Sequence, residues 1–150
     1  MQIIYHGSYC KVEMPKIIQG KYTKDFGNGF YCTILEEQAR KWAEKYPTPT
    51  INMYEYEQNL SLKIKDFTLM TEEWLDFIIN CRAGKKHDYD IVIGAMADDQ
   101  VYNYISDLIK GNITRNAFWE LAKFRHPTHQ IAFCTEKSLQ CIKFLDVKEL

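Results

Sequence analysis

Two short segments carry the residue types best suited to hold a ligand. Tyr5-His6-Gly7-Ser8 sets a histidine at the end of an apolar stretch, followed at once by a glycine whose backbone a ligand can approach closely. Asp25-Phe26-Gly27-Asn28-Gly29-Phe30-Tyr31-Cys32-Thr33 feeds two glycines into an aromatic segment that runs toward a helix start. The chemistry within reach is hydrogen bonding by an imidazole and a bare backbone, and stacking by rings. Aromatic content points the same way: 8 Phe, 10 Tyr and 3 Trp exceed what one core of this size asks for, so some ring faces are expected to serve a ligand. Other chemistries lack their signatures. The phosphate-binding loop, the GxGxxG fingerprint, HExxH and GxSxG are all absent. His126 and His129 stand three apart across Pro127, which breaks the helix that would put both on one face, so loop histidines are expected there rather than metal ligands. Five cysteines, an odd number with no CxxC pair, read as buried reduced thiols.

Those segments need elements to position them. Ile3 to His6 reads as an opening strand, and a polar connection to Asn28 follows, long for a compact domain and therefore a candidate for function. Phe30 to Thr33 reads as a second strand. Thr33 with Glu36 three residues on has the form of a capping box, and Leu35, Ala39, Trp42, Ala43 and Tyr46 keep a helical period until Pro47. Alternation over Ile51 to Glu57, resumed at Leu62 to Ile64 after Gln58 and Asn59, predicts a hairpin. Thr71 before Glu72 and Glu73 caps a helix that carries Trp74, Leu75, Ile78, Ile79 and Cys81 inward. Tyr89 to Gly94 reads as a buried strand, and Asp98 and Asp99 as an N-cap with a favourable dipole contact. Val101, Ile105, Leu108 and Ile109 mark a helix ending at Gly111, Thr114 opens another, and Ile131 to Cys134 is a strand. A helical turn near Ser138 and a last strand over Ile142 to Val147 complete an α+β pattern without regular βαβ alternation.

The 150 residues suit one domain, 1–150, and no linker or repeat divides them. A net charge of -1 gives no general reason to expect nucleic acid or an anionic membrane as partner. No window approaches 18 consecutive apolar residues, so no membrane span is expected. The first residues lack the features of a secretory signal, and a cytoplasmic setting is expected.

The two opening segments resemble the ADP-ribosyltransferase family, in the His-Tyr-Glu branch that includes the poly(ADP-ribose) polymerases and diphtheria toxin. In that branch the first strand ends in His-Gly(-Ser), here His6-Gly7-Ser8. A Phe-Gly-Lys-Gly-like turn leads to the strand tyrosine, here Phe26-Gly27-Asn28-Gly29-Phe30-Tyr31, with Asn28 in place of Lys. A second ring lies eleven positions beyond that tyrosine, and Trp42 stands there. The third family residue, usually Glu, opens a later strand; the fitting segment Thr128-His129-Gln130-Ile131-Ala132-Phe133 puts Gln130 in its place. The chain is also similar to a bacterial family of short transferase-like proteins that share these segments and the Tyr89 to Asp99 run, so the likeness spans nearly the whole sequence.

The resemblance implies a split two-sheet α+β fold and an enzyme that breaks the bond between nicotinamide and ribose of NAD. It implies that His6 meets the adenosine-side ribose, that Gly7 fixes the nicotinamide carboxamide beside Ser8, and that Tyr31 and Trp42 clamp the ring. Gln130 would hydrogen-bond the other ribose through its amide, without the charge a carboxylate supplies. Glu136, just after that strand, is the alternative carboxylate, though its place after Thr135 fits a helix first turn. Lys21 and Lys24 could approach the pyrophosphate or simply face solvent. The implied activity is mono-ADP-ribosylation of an unidentified acceptor by a bacterial toxin or toxin-antitoxin effector, with an antitoxin protein as partner. NAD glycohydrolysis, or NAD or ADP-ribose binding without turnover, are the alternatives.

Overall fold

A computed structural model describes residues 2–17, 25–95, 99–123 and 128–150, with Asp99 described only in its backbone. Lys21, Lys24, Asp98 and His126 lie outside the described residues. Among the described residues seven strands form two sheets. The first holds β1 (Gln2–Ser8), β3 (Thr50–Tyr56) and β7 (Ile142–Glu149), all antiparallel in the order β1-β3-β7. The second has the order β2-β6-β5-β4, from β2 (Phe30–Cys32), β6 (Gln130–Phe133), β5 (Ile91–Gly94) and β4 (Ile64–Phe67). Among the described residues, one antiparallel bridge, Tyr5 to Thr33, joins them. The fold is α+β, with two open sheets and several helices.

Period-two alternation sorts the side chains of the four-stranded sheet into two cores. Phe30 and Cys32 of β2, Ile91 of β5 and Ile131 and Phe133 of β6 face the other sheet and pack with Ile4, Tyr54 and Tyr56. Tyr31, Val92 and Ala132 point the opposite way, into a helical layer. That layer consists of α2 (Glu72–Arg82), α3 (Asp99–Ile109) and α4 (Arg115–Ala122), which bring Trp74, Leu75, Ile78, Val101, Ile105 and Phe118 inward. Trp74 is fully buried, and its indole N–H donates to the Ala95 carbonyl at 2.9 Å, so the ring enters the core without an orphaned donor. A further helix, α1 (Glu36–Ala43), lies against β1.

Local signals are realised where no tertiary demand opposes them. Thr71 accepts from Trp74 N–H and Thr114 from Ala117 N–H, as their cap positions predict. Thr135 and Ser138 form a reciprocal capping box on a 3₁₀ turn (Glu136–Cys141). Two expectations are corrected. Thr33 does not cap α1: its backbone is committed to the bridge, its hydroxyl accepts from Leu35 N–H, and Leu35 occupies the cap position without a side-chain bond. Residues 62–64 do not form a hairpin with β3. The strand here is β4, and it pairs in parallel with β5 in the other sheet, with α2 as the crossover. Of the α3 residues expected inside, Ile109 is half-exposed at the helix end.

Asp90 ties the edge of the second sheet together. Its carboxylate accepts from Lys63 N–H at 2.9 Å and from the Thr135 hydroxyl at 2.8 Å, with Lys137 3.7 Å away. Burial alone would raise its pKa, but these hydrogen bonds and the Lys137 charge prevail and hold it below the ordinary value. A carboxyl group with a lowered folded pKa stabilises the fold above its unfolded pKa of about 4, and loses that contribution as pH falls through the folded value. Urea unfolding between pH 6 and pH 2 should therefore show stability falling on the acid side of pH 4. Asp90→Asn should lower stability by about 1–3 kcal/mol at pH 6 and flatten that fall. An unchanged acid limb in the variant would remove Asp90 from the account.

Candidate functional site

The site is built where the two sheets part. Tyr5 N–H donates to Thr33 O at 2.8 Å, and Thr33 N–H returns the bond to Tyr5 O at 2.9 Å. Both backbone groups of Tyr5 thus point away from β3. Because backbone direction alternates along a strand, the N–H and C=O of Gly7 point to that same edge, just past the bridge. A glycine amide and carbonyl presented side by side form a donor and acceptor pair that matches a primary carboxamide.

His6 fills the gap between the strands. Its Nδ1 lies 2.6 Å from Tyr31 O, so Nδ1 carries the hydrogen that this carbonyl accepts. The ring stacks on Phe30 with centroids 4.2 Å apart. The imidazole is therefore oriented by β2 although it belongs to β1. Ser8 follows, buried and paired with Thr50 on β3.

Tyr31 is held by the loop before it. Its hydroxyl donates to Gly27 O at 2.5 Å and accepts from Phe26 N–H at 3.1 Å. Burial holds this phenol well above its ordinary pKa, with Cys134 adding to the rise. The glycines serve this wrap. Gly27 adopts φ +84°, and a Cβ on Gly29 would lie 2.8 Å from Phe133 O. The buried ion pair of Asp25 with Arg82, at 2.7 Å, fastens the loop to α2, and His87 Nε2 sits 2.9 Å from Phe26 O. The ring is mostly enclosed by the helical core, at 9% exposure.

α1 closes the other side. A Cβ on Gly7 would meet Ala39 O at 2.2 Å and Ala43 N at 2.9 Å, so only glycine lets the helix lie this close to β1. Trp42 Cβ is also near that point, and the residue is half-buried. One turn earlier, Gln38 uses its whole amide: Nε2 donates to His129 O at 2.8 Å, and Oε1 accepts from His129 N–H at 3.2 Å. α1 is thereby tied to the residue before Gln130.

Gln130 opens β6 opposite Gly94, and the β2 to β6 register sets Ala132 beside Tyr31. By alternation Gln130 shares the face of Tyr31. Its side chain is 3% exposed, and among the described residues Nε2 has no hydrogen-bond partner. An enclosed amide donor left unmatched costs about 1–3 kcal/mol. Glu136, by contrast, is exposed in the 3₁₀ turn beyond the far end of β6. His6, Gly7, Tyr31 and Trp42 thus lie around the contact of β1 with β2 and α1, with Ser8 next to it; Gln130 follows the residue that Gln38 ties to α1, on the Tyr31 face of the sheet, and Glu136 lies apart in an exposed turn. Sequence reasoning missed Gln38 and the Asp25–Arg82 pair. Gln38 carried one signal, since it sits one helical turn before Trp42 on the side that buries Ala39 and Ala43.

Among the described residues no cluster of three or more His, Cys, Asp or Glu could hold a metal, and no helix is long and apolar enough to cross a membrane. All five cysteines are free thiols. A family model described as Protein of unknown function (DUF3990) matches residues 2–144. Searches of curated proteins and of solved structures found no match.

Tyr31→Phe should leave the Phe26 N–H without its acceptor and free the Gly27 carbonyl. The expected loss is about 1–3 kcal/mol in urea unfolding, with the ring still in the core. A variant as stable as the parent would mean that the hydroxyl does not anchor the loop.

Proposed function

The chain belongs to the DUF3990 family, and we propose that it is an NAD-dependent mono-ADP-ribosyltransferase with an ADP-ribosyltransferase-like split fold. The observation that carries this reading is the Gln130 amide, enclosed, without a partner for Nε2 among the described residues, and on the same face as Tyr31. A ribose hydroxyl supplies what that amide lacks. The order of the other groups supports the reading. Histidine ends the first strand, tyrosine lies in the second, and a large indole follows on the next helix.

Cleavage of the nicotinamide-ribose bond leaves a ribosyl oxocarbenium ion, so the catalyst must fix the departing ring and hold the sugar as charge develops. The Gly7 N–H and C=O would take the carboxamide. The half-buried Trp42 would cover one face of the ring and Tyr31 the other. His6, with Nδ1 given to Tyr31 O, would offer Nε2 to the adenosine-side ribose. Gln130 would hold the 2'-hydroxyl of the reacting ribose. An amide orients that sugar but contributes no negative charge, which favours a single transfer over polymer formation. We read the protein as a toxin-like effector in a bacterial cytoplasm, restrained by an antitoxin partner, with the acceptor to be identified by labelling.

Incubation with NAD labelled in the adenylate half, in a bacterial lysate, should place label on a macromolecule and release nicotinamide. His6→Ala and Trp42→Ala should each lower labelling by about 10- to 100-fold. Gln130→Glu should raise turnover by roughly tenfold or more, because a carboxylate stabilises the cation that the amide only orients. Nicotinamide release without label would convert the reading to NAD glycohydrolysis, and binding without release to a binding module. Absence of NAD binding, or full activity in His6→Ala, would overturn it.

A further inference from the structure

A groove of about 380 Å³ opens between the two sheets at the Gln2 end of β1, lined by His129, just before β6, and by Ile131 on β6. Alternation puts these two on the face opposite Gln130, so the groove is separate from the site described above. We propose that it is a second binding site, for one neutral, planar nitrogen heterocycle of nucleobase size, independent of the reading of the first site.

The decisive group is Tyr56. Its side chain lies in the groove wall and is 8% exposed, packed against Phe133, yet among the described residues its enclosed hydroxyl has no hydrogen-bond partner. Buried hydroxyls in a folded protein are ordinarily matched, so this one calls for an acceptor brought from outside. Ile34, Ile93 and Ile131 supply apolar walls for the faces of a ring. Its edge would be read by groups that both donate and accept. The Gln2 and Gln58 side chains line the rim, and His129 completes the set. The His129 Nδ1 lies 3.5 Å from Ile34 N–H, which orients Nε2 as a donor, and burial lowers the pKa of the imidazole so that it is neutral near pH 7.

Charge fixes the ligand class. Among the described residues, no lysine, arginine, aspartate or glutamate lines the groove. The carboxylate of Asp66, on β4, acts on both His129 and Tyr56 from nearby. A phosphate or a carboxylate would find no cation and an unfavourable field. An uncharged base meets apolar walls and a matched edge. The volume, at the low end of the roughly 300–1,000 Å³ common for ligand clefts, suits one ring system.

The test is a two-dimensional amide NMR titration of the ¹⁵N-labelled protein with adenine, with cytosine and with inorganic phosphate. At least one base should shift the amides of Ile34, Gln58 and His129 saturably, and phosphate should shift none of them. Tyr56→Phe, which keeps the ring and removes only the hydroxyl, should weaken that binding about fivefold to tenfold. Ile34→Ala, at a half-exposed wall, should weaken it about threefold. Gln130→Ala should leave it unchanged, which separates this site from the first. The proposal fails if neither base moves these amides, if phosphate moves them, or if Tyr56→Phe binds as tightly as the parent. Base-induced shifts confined to Gly7 and Trp42 would also overturn it while supporting the NAD reading.

Discussion

Among the described residues one pair of backbone hydrogen bonds, between Tyr5 and Thr33, joins the two sheets, and the candidate site exists because the strands separate immediately beyond it. Had β1 and β2 stayed paired, the Gly7 amide and carbonyl would be consumed in a ladder and His6 could not reach Tyr31 O. Instead the edge past the bridge is spanned by one imidazole and roofed by α1. The tight seat of α1 on Gly7 places Trp42 there, and the Gln38 amide extends the same helix to the start of β6. Three elements that are distant in sequence are thus positioned by a backbone bridge, a close glycine contact and two side-chain-to-backbone ties, His6 to Tyr31 O and Gln38 to His129.

The loop from Asp25 to Gly29 is the second constraint. It wraps the Tyr31 hydroxyl and is fastened to α2 by an ion pair that is almost completely buried, and the Arg82 guanidinium also lies over the Tyr102 ring, 3.9 Å from its centroid. Removing one partner of such a pair would strand a buried charge, so the loop and α2 are coupled. Tyr31 is accordingly both a core residue and a member of the candidate site. Its hydroxyl serves the loop, and only its ring remains to act on a ligand. That division makes Trp42 the cleaner probe of stacking.

Much of this was legible in the sequence where the cause is local. Thr71 and Thr114 cap as their side chains predict, and Thr135 caps its turn while its hydroxyl also donates to Asp90. Thr33 had the same local signal and lost it to the inter-sheet bridge, a contact made 28 residues away in the chain. The β4 strand was misassigned to a hairpin for the same kind of reason. Its parallel partner β5 lies beyond a whole helix, and periodicity reports which face is buried but not which strand lies alongside. Of the positions the resemblance named, His6 is bonded to the Tyr31 carbonyl, Trp42 Cβ lies near Gly7, and Gln130 shares the Tyr31 face of the sheet. Gln38 and the Asp25–Arg82 pair, separated by 91 and 57 positions from their partners, carried no comparable signal.

The account turns on Gln130. An enclosed amide on the Tyr31 face of the sheet, whose donor has no partner among the described residues, is unfavourable in the protein alone and becomes favourable if a hydroxyl of NAD completes it. Titration of the ¹⁵N-labelled protein with NAD, following the side-chain NH₂ of Gln130 together with the Gly7 backbone amide, tests this directly. The account predicts that both signals shift saturably with one common dissociation constant. If NAD leaves the Gln130 side-chain signals unmoved at concentrations that saturate any other response, the central claim is wrong.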